Sequence, residues 1–152
     1  MKNILFVCHG NICRSPMAEY IMRDLVKNAG VDDIYHIESA ATSREEIGND
    51  LYPKAKEKLR EKGIPYGHHS ARQVATSDYA QYDYIIGMDQ ANHRNLVNLF
   101  HGDPEGKVSL LMDWTGNGRS ISDPWYSGDF ETTFREIVEG AEALLDRLEN
   151  RR

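Results

Sequence analysis

Ile4, Leu5, Phe6 and Val7 form an unbroken apolar run that stops at the polar Cys8-His9-Gly10-Asn11. A run this short, without alternation, suits a strand buried on both faces, the pattern of parallel sheets covered by helices on either side. The remaining chain alternates in the same way. Met17, Tyr20, Ile21 and Leu25 give helical spacing over 16–29, and a weaker strand is expected near 34–39. A charged helix over 52–62 ends at Gly63, a suitable C-terminal cap. A buried strand over 82–88 leads into a helix over 90–100. After the turn Gly102-Asp103-Pro104 comes a short fourth strand over 108–112. A loop rich in Gly, Ser and Asp covers 115–128, and a long amphipathic helix over 130–149 closes the chain. The expectation is one α/β domain spanning 1–152, with a four-stranded parallel sheet and helices on both faces.

Composition agrees with that reading and narrows the partners. With 40% hydrophobic and 28% charged residues in 152, the chain can bury a substantial core. No stretch reaches the roughly 20 apolar residues that span a bilayer, and the first apolar run is too short for a secretion signal. A cytoplasmic protein without a membrane partner is expected. The formal net charge of −6 disfavours nucleic acid. Cys8 and Cys13 are the two cysteines, too few and too close for a disulfide framework, so they point to chemistry or redox control.

Ligands of such sheets bind beyond the carboxyl ends of the strands. The segment Cys8-His9-Gly10-Asn11-Ile12-Cys13-Arg14-Ser15-Pro16 occupies that position between the first strand and first helix. Ser15 is a suitable N-cap and Pro16 fits the first helical position. Gly10 and Asn11 accept left-handed conformations that turn N–H groups inward into an anion nest. Arg14 can grip two oxygens of a phosphate. A thiol between a helix N-terminus and a guanidinium ionises readily, so Cys8 is a candidate nucleophile facing a bound phosphoryl group. Cys-x5-Arg alone recurs by chance; with the strand, the turn residues and the helix around it, the spacing points to an oxyanion site.

The same segment resembles the signature loop of the low-molecular-weight protein tyrosine phosphatases. The likeness continues through Glu38-Ser39-Ala40, His69-Ser70-Ala71-Arg72-Gln73, Met88-Asp89 and Asp123-Pro124-Trp125-Tyr126, and so covers essentially the whole chain. The resemblance implies a phosphotyrosine phosphatase I-like fold. It implies hydrolysis of phosphotyrosine and aryl phosphates through a phosphocysteine on Cys8, with a tyrosine-phosphorylated protein as substrate. Residues 8–15 would cradle inorganic phosphate or another oxyanion, through His9, Gly10, Asn11, Ile12, Cys13, Arg14 and Ser15. Asp123 would be the general acid and then the base; by itself Asp-Pro is also an ordinary turn. Trp125 and Tyr126 would wall the pocket. Asn11, Ser15, Ser39 and His69 would hold the loop by hydrogen bonds, with Asp89 near the next helix start. Caps and satisfied polar groups account equally for Ser39, His69 and Asp89.

The family pattern also gives Cys13 a redox role, trapping oxidised Cys8 as a disulfide; a buried spectator thiol is the other reading. Six histidines are present, but His68-His69 is the only local pair and lacks metal-motif spacing, so neither metal nor cofactor is expected. A protein-arginine phosphatase is the nearest alternative. That branch carries threonine where Ile12 stands and lacks bulky rings at the positions of Trp125 and Tyr126. Thioredoxin-coupled arsenate reductases need further cysteines. A non-catalytic oxyanion-binding or redox-sensing module would not require Asp123. One departure concerns Glu45: many eukaryotic relatives carry an aromatic residue about there, so Glu45 is either a rim residue for a different peptide or a solvated loop charge.

Overall fold

The computed structural model describes residues 1–150. Strand β1 (Lys2–Cys8) is flanked by β2 (Tyr35–Ala41) and by β3 (Tyr84–Gly87), and β4 (Val108–Leu110) completes the order β2-β1-β3-β4. All three pairings are parallel. The helices are α1 (Arg14–Asn28), α2 (Pro53–Glu61), α3 (Asp78–Gln81), α4 (Gln90–Leu99), α5 (Pro124–Ser127) and α6 (Phe130–Leu148).

The unbroken apolar run of β1 is divided between two cores, because successive side chains point to opposite faces of a strand. Ile4, Phe6 and Cys8 join Met17, Ile21 and Met22 of α1 and Ile137, Ala141 and Leu144 of α6. Leu5 and Val7 face the other way, toward Leu96 of α4 with Val74, Tyr82 and Ile85. Residues 4–7 are completely buried, each apolar side chain contributing about 1.5–3 kcal/mol by its removal from water. Helices therefore cover both faces, as expected.

Several local expectations are corrected. The third strand is shorter than 82–88, and residues 78–81 before it form the unanticipated helix α3. The fourth strand ends at Leu110, because a 3-10 turn, Leu111–Thr115, takes over. That turn lies against α6, where a Cβ on Gly140 would come within 2.6 Å of Leu111 Cγ, so only glycine permits the approach. Within 115–128, α5 forms after Asp123, whose side chain accepts the Trp125 N–H at 3.0 Å. Beyond β2, Ala41 forms a parallel bridge with Gln73, so the segment around Arg72 is tied to the sheet edge beside the first loop.

Candidate active site

The loop 9–13 joins β1 to α1 at the carboxyl end of the sheet. Asn11 adopts the left-handed conformation (φ 60°), a turn that asparagine accepts more readily than most residues. Gly10 is not left-handed, in contrast to expectation, and a Cβ there would make only an ordinary contact with Glu46 Cγ at 3.4 Å. The helix begins two residues earlier than the Ser-Pro pair suggests. Arg14 is its first residue, Cys13 occupies the cap position without a side-chain cap, and Pro16 falls third. Pro16 still stands where a missing N–H leaves no helical bond unmade. Ser15 is thereby freed from capping, and its hydroxyl turns to the sulfur of Cys8.

Cys8 is 4% exposed, and two main-chain donors and one hydroxyl surround its Sγ. The N–H groups of Asn11 and Ser15 donate to it at 3.3 and 3.4 Å, and Ser15 Oγ lies 3.0 Å away. Main-chain donors at a helix N-terminus favour negative charge at that point. Arg14, 3% exposed, crosses the mouth of the loop. Its Nη1 donates to the Ile121 carbonyl at 3.0 Å, and its Nη2 lies 2.9 Å from Asp89 Oδ2 and 3.5 Å from Asp123 Oδ2. A guanidinium has five N–H donors, so these contacts leave others for an incoming oxyanion. The Asp123 loop is fixed in turn: Ile121 N–H donates to Met88 O at 2.8 Å, and Ser122 N–H to Glu136 Oε1 at 2.8 Å.

A cleft of about 320 Å³ opens over Cys8. His9, Gly10, Asn11, Ile12, Cys13 and Arg14 line it together with Glu45, Asp89, Asp123, Trp125 and Tyr126. Sequence-distant candidates thus converge on one site. The Trp125 ring meets Tyr52 edge-on at 5.0 Å, and Tyr52 stacks on Phe130 at 6.1 Å. Tyr126 projects into solvent at 86% exposure. Glu45 is a rim residue: its Oε2 lies 2.6 Å from His9 Nε2, so the His9 side chain points outward and only its main chain faces the loop.

Ser15, Ser39 and His69 lie beneath the cleft. Asn11 is the hub of their network. Its Nδ2 donates to Ser15 Oγ at 2.8 Å and Ser39 Oγ at 2.9 Å, while its Oδ1 accepts Arg72 N–H at 3.2 Å. His69 Nε2 lies 2.7 Å from the Asn11 carbonyl, which can only accept, so this nitrogen carries the proton. Burial holds the imidazole below its usual range, and Asp50 accepts its main-chain N–H at 2.9 Å. Asp89 combines the two roles open to it, ion pair to Arg14 and N-cap of α4, where it accepts Asn92 N–H at 2.8 Å. Burial pushes the Cys13 thiol up to about 12, with Cys8 and Asp123 adding to the effect and Arg14 opposing it.

Glu19, Asp50 and Arg72 belong to this support and were not anticipated. Arg72 lies within a recognised segment, and Asp89-x-x-Asn92 carries a capping spacing; nothing local in the sequence marks Glu19 or Asp50. Among the described residues no group of three or more His, Cys, Asp or Glu converges as a metal site, and no helix is long and apolar enough to cross a membrane.

Fold and loop together define a parallel α/β protein whose Cys-x5-Arg loop folds around a buried thiol at the carboxyl end of the sheet. The chain belongs to the low molecular weight phosphotyrosine protein phosphatase family, whose model matches residues 3–152. It is 38% identical over 151 residues to the human low molecular weight phosphotyrosine protein phosphatase, covering 96% of this chain and 95% of that one. The crystal structure of YfkJ from Bacillus subtilis superposes with a TM-score of 0.95 at 37% identity, over 99% of this chain and 96% of that one. A low molecular weight protein tyrosine phosphatase from Streptococcus pyogenes gives 0.88 at 38% identity, covering 97% and 93%.

Proposed function

We propose that this chain is a protein-tyrosine phosphatase that hydrolyses phosphotyrosine and aryl phosphates through a phosphocysteine on Cys8. One observation carries the reading: two main-chain N–H groups and the Ser15 hydroxyl converge on Cys8 Sγ, with Arg14 and Asp123 paired across the same mouth.

The Cys8 thiolate attacks phosphorus, and the bond to the phenolic oxygen breaks. Arg14 and the loop N–H groups hold the equatorial oxygens, where charge is spread in the transition state. Asp123 gives its proton to the departing phenolate. Its carboxylate then takes a proton from water, which attacks the phosphocysteine, and Cys8 leaves as thiolate stabilised by Ser15. Ser39, His69 and Asp89 keep this constellation in place. Ile12 gives the cradle an apolar wall, and Trp125 and Tyr126 present rings to an aryl group. These features favour phosphotyrosine over phosphoarginine.

The reaction as written draws on protein groups and water, without a cofactor. The proposal extends to one functional domain over 1–152 acting in the cytoplasm on phosphorylated proteins, with neither nucleic acid nor membrane as partner. Redox control through Cys13 is part of it only if Cys13 can reach the thiolate form.

The test is hydrolysis of p-nitrophenyl phosphate in EDTA. Cys8→Ser should abolish turnover, and Asp123→Ala should reduce it by about 10²–10⁴. Phosphotyrosine peptides should then outcompete phosphoarginine peptides; the reverse order would assign the chain to arginine phosphatases. A folded, reduced wild type without turnover would leave an oxyanion-binding or redox module.

A further inference from the structure

The loop network ends in a buried carboxylate that the reaction scheme does not use. Glu19 lies on α1, 5% exposed, and Ser39 Oγ donates to its Oε1 at 2.6 Å. Its Oε2 pairs with Nη2 of Arg23 one turn along the helix, and that guanidinium also meets Glu38 Oε2 at 3.0 Å and the Ile37 carbonyl at 2.8 Å.

The order of donors and acceptors is fixed at Glu19, which can only accept from Ser39, and at Asn11 Oδ1, which accepts from Arg72. Arg72 N–H donates to Asn11 Oδ1, so the Asn11 amide must direct its NH₂ group at Ser15 and Ser39. Each hydroxyl then accepts from Asn11, and each has one proton left to place. Ser39 places its proton on Glu19. Ser15 has two acceptors within reach, Cys8 Sγ at 3.0 Å and the Ala40 carbonyl at the longer 3.4 Å. We propose that Glu19 is a positioning residue: by taking the Ser39 proton it locks Asn11, and through Asn11 it obliges the Ser15 hydroxyl to donate to Cys8. Without that acceptor, Ser39 turns or leaves its proton unpaired in a buried site. Asn11 then loses one of the three partners that hold its amide, and Ser15 can shift toward Ala40. Burial pushes the Glu19 carboxyl up, while Ser39 and Arg23 act in the opposite direction. The ion pair with Arg23 anchors this acceptor at the end of the chain.

This inference rests on Cys8 being the nucleophile, but its test does not need turnover. Alkylation of Cys8 by iodoacetate reads the thiolate directly. In Glu19→Met, which removes the acceptor at similar side-chain length, with folding confirmed by circular dichroism, the alkylation rate at pH 6 should fall about tenfold, the effect of losing one hydrogen bond to a carboxylate. In a Ser15→Ala background the same substitution should cost less than twofold, because the group through which Glu19 acts is gone. If Glu19→Met does not fold, Arg23→Gln carries the same comparison with a loss of about threefold. An unchanged alkylation rate, or an equal loss with and without the Ser15 hydroxyl, would overturn the proposal. Absence of phosphatase turnover in the wild type would instead count against the proposed function and leave this comparison readable.

Discussion

Asp89 Oδ2 lies 2.9 Å from Nη2 of Arg14 while its Oδ1 accepts the N–H of Asn92 at 2.8 Å, so one carboxylate fastens α4 to the buried arginine of the first loop. The two contacts separate by mutation. Asp89→Asn should keep the cap and cost under ~0.5 kcal/mol of stability, yet lower kcat/KM about tenfold by releasing Arg14. Asp89→Ala should lower activity similarly and cost a further ~1 kcal/mol through the lost cap. Urea melts alongside aryl phosphate kinetics distinguish the two.

Asn11 combines a left-handed backbone with five side-chain and main-chain contacts in a fully buried position. Asn11→Ala should cost about 2–4 kcal/mol, from buried groups left unpaired and from the strain of alanine at positive φ. Asn11→Gly should recover about 1 kcal/mol of that loss without restoring activity. Equal destabilisation by Ala and Gly in thermal or urea melts would remove backbone strain from this account.

Asp50 accepts main-chain N–H groups from Leu51 and His69 and pairs with Lys56 at 2.6 Å. Burial raises its carboxyl, but these partners prevail and hold it near 2, below its ordinary 3.8. A depressed carboxylate stabilises the fold above its unfolded value and loses that contribution as pH falls through the folded one. Asp50→Asn should therefore be destabilised by about 1–2 kcal/mol at pH 7, the gap closing between pH 4 and 2. Denaturant melts across that window check it.

His69 is shifted the same way for a different reason, since burial disfavours its charged form. The unfolded chain then binds the extra proton more readily, so stability falls as pH drops below about 6.5. His69→Gln should flatten the slope of stability against pH between 6.5 and 5. A variant with the wild-type slope would assign that proton uptake to another histidine.

Cys13 is 6% exposed, and its thiol is pushed up to about 12. The thiolate is the reactive form, so neutral iodoacetamide should label one cysteine in the native protein and two in urea. Peptide mass spectrometry should place the native label on Cys8. Native labelling of Cys13 would show that it reaches the thiolate form needed to trap an oxidised partner.

Much of the architecture was legible because its signals are local. The run 4–7 can only be a doubly buried strand, and α6 shows its apolar face as a helical stripe. Cys8 to Arg14 could be read as an oxyanion loop because the whole cradle lies in consecutive residues between a strand and a helix. Where local signals compete, the sequence misled. Ser15-Pro16 looks like a cap and a first helical position, yet a helix starting at Arg14 lets the Ser15 hydroxyl meet Cys8. The adjacent rings of Trp125 and Tyr126 gave no sign of α5, which is set by the Asp123 side chain accepting Trp125 N–H.

The sequence by itself determined the strand–helix alternation and the family, since each depends on residue types at fixed short spacings. Only the tertiary structure decided which distant residues complete the site. Glu19, Asp50 and Arg72 act on Asn11 or its neighbours across separations that no periodicity encodes, because hydrogen-bond partners are selected by three-dimensional proximity in a dry interior. The same holds for Arg14 between Asp89 and Asp123: the sheet order brings the ends of β1 and β3 together, and burial makes the meeting of those charges consequential.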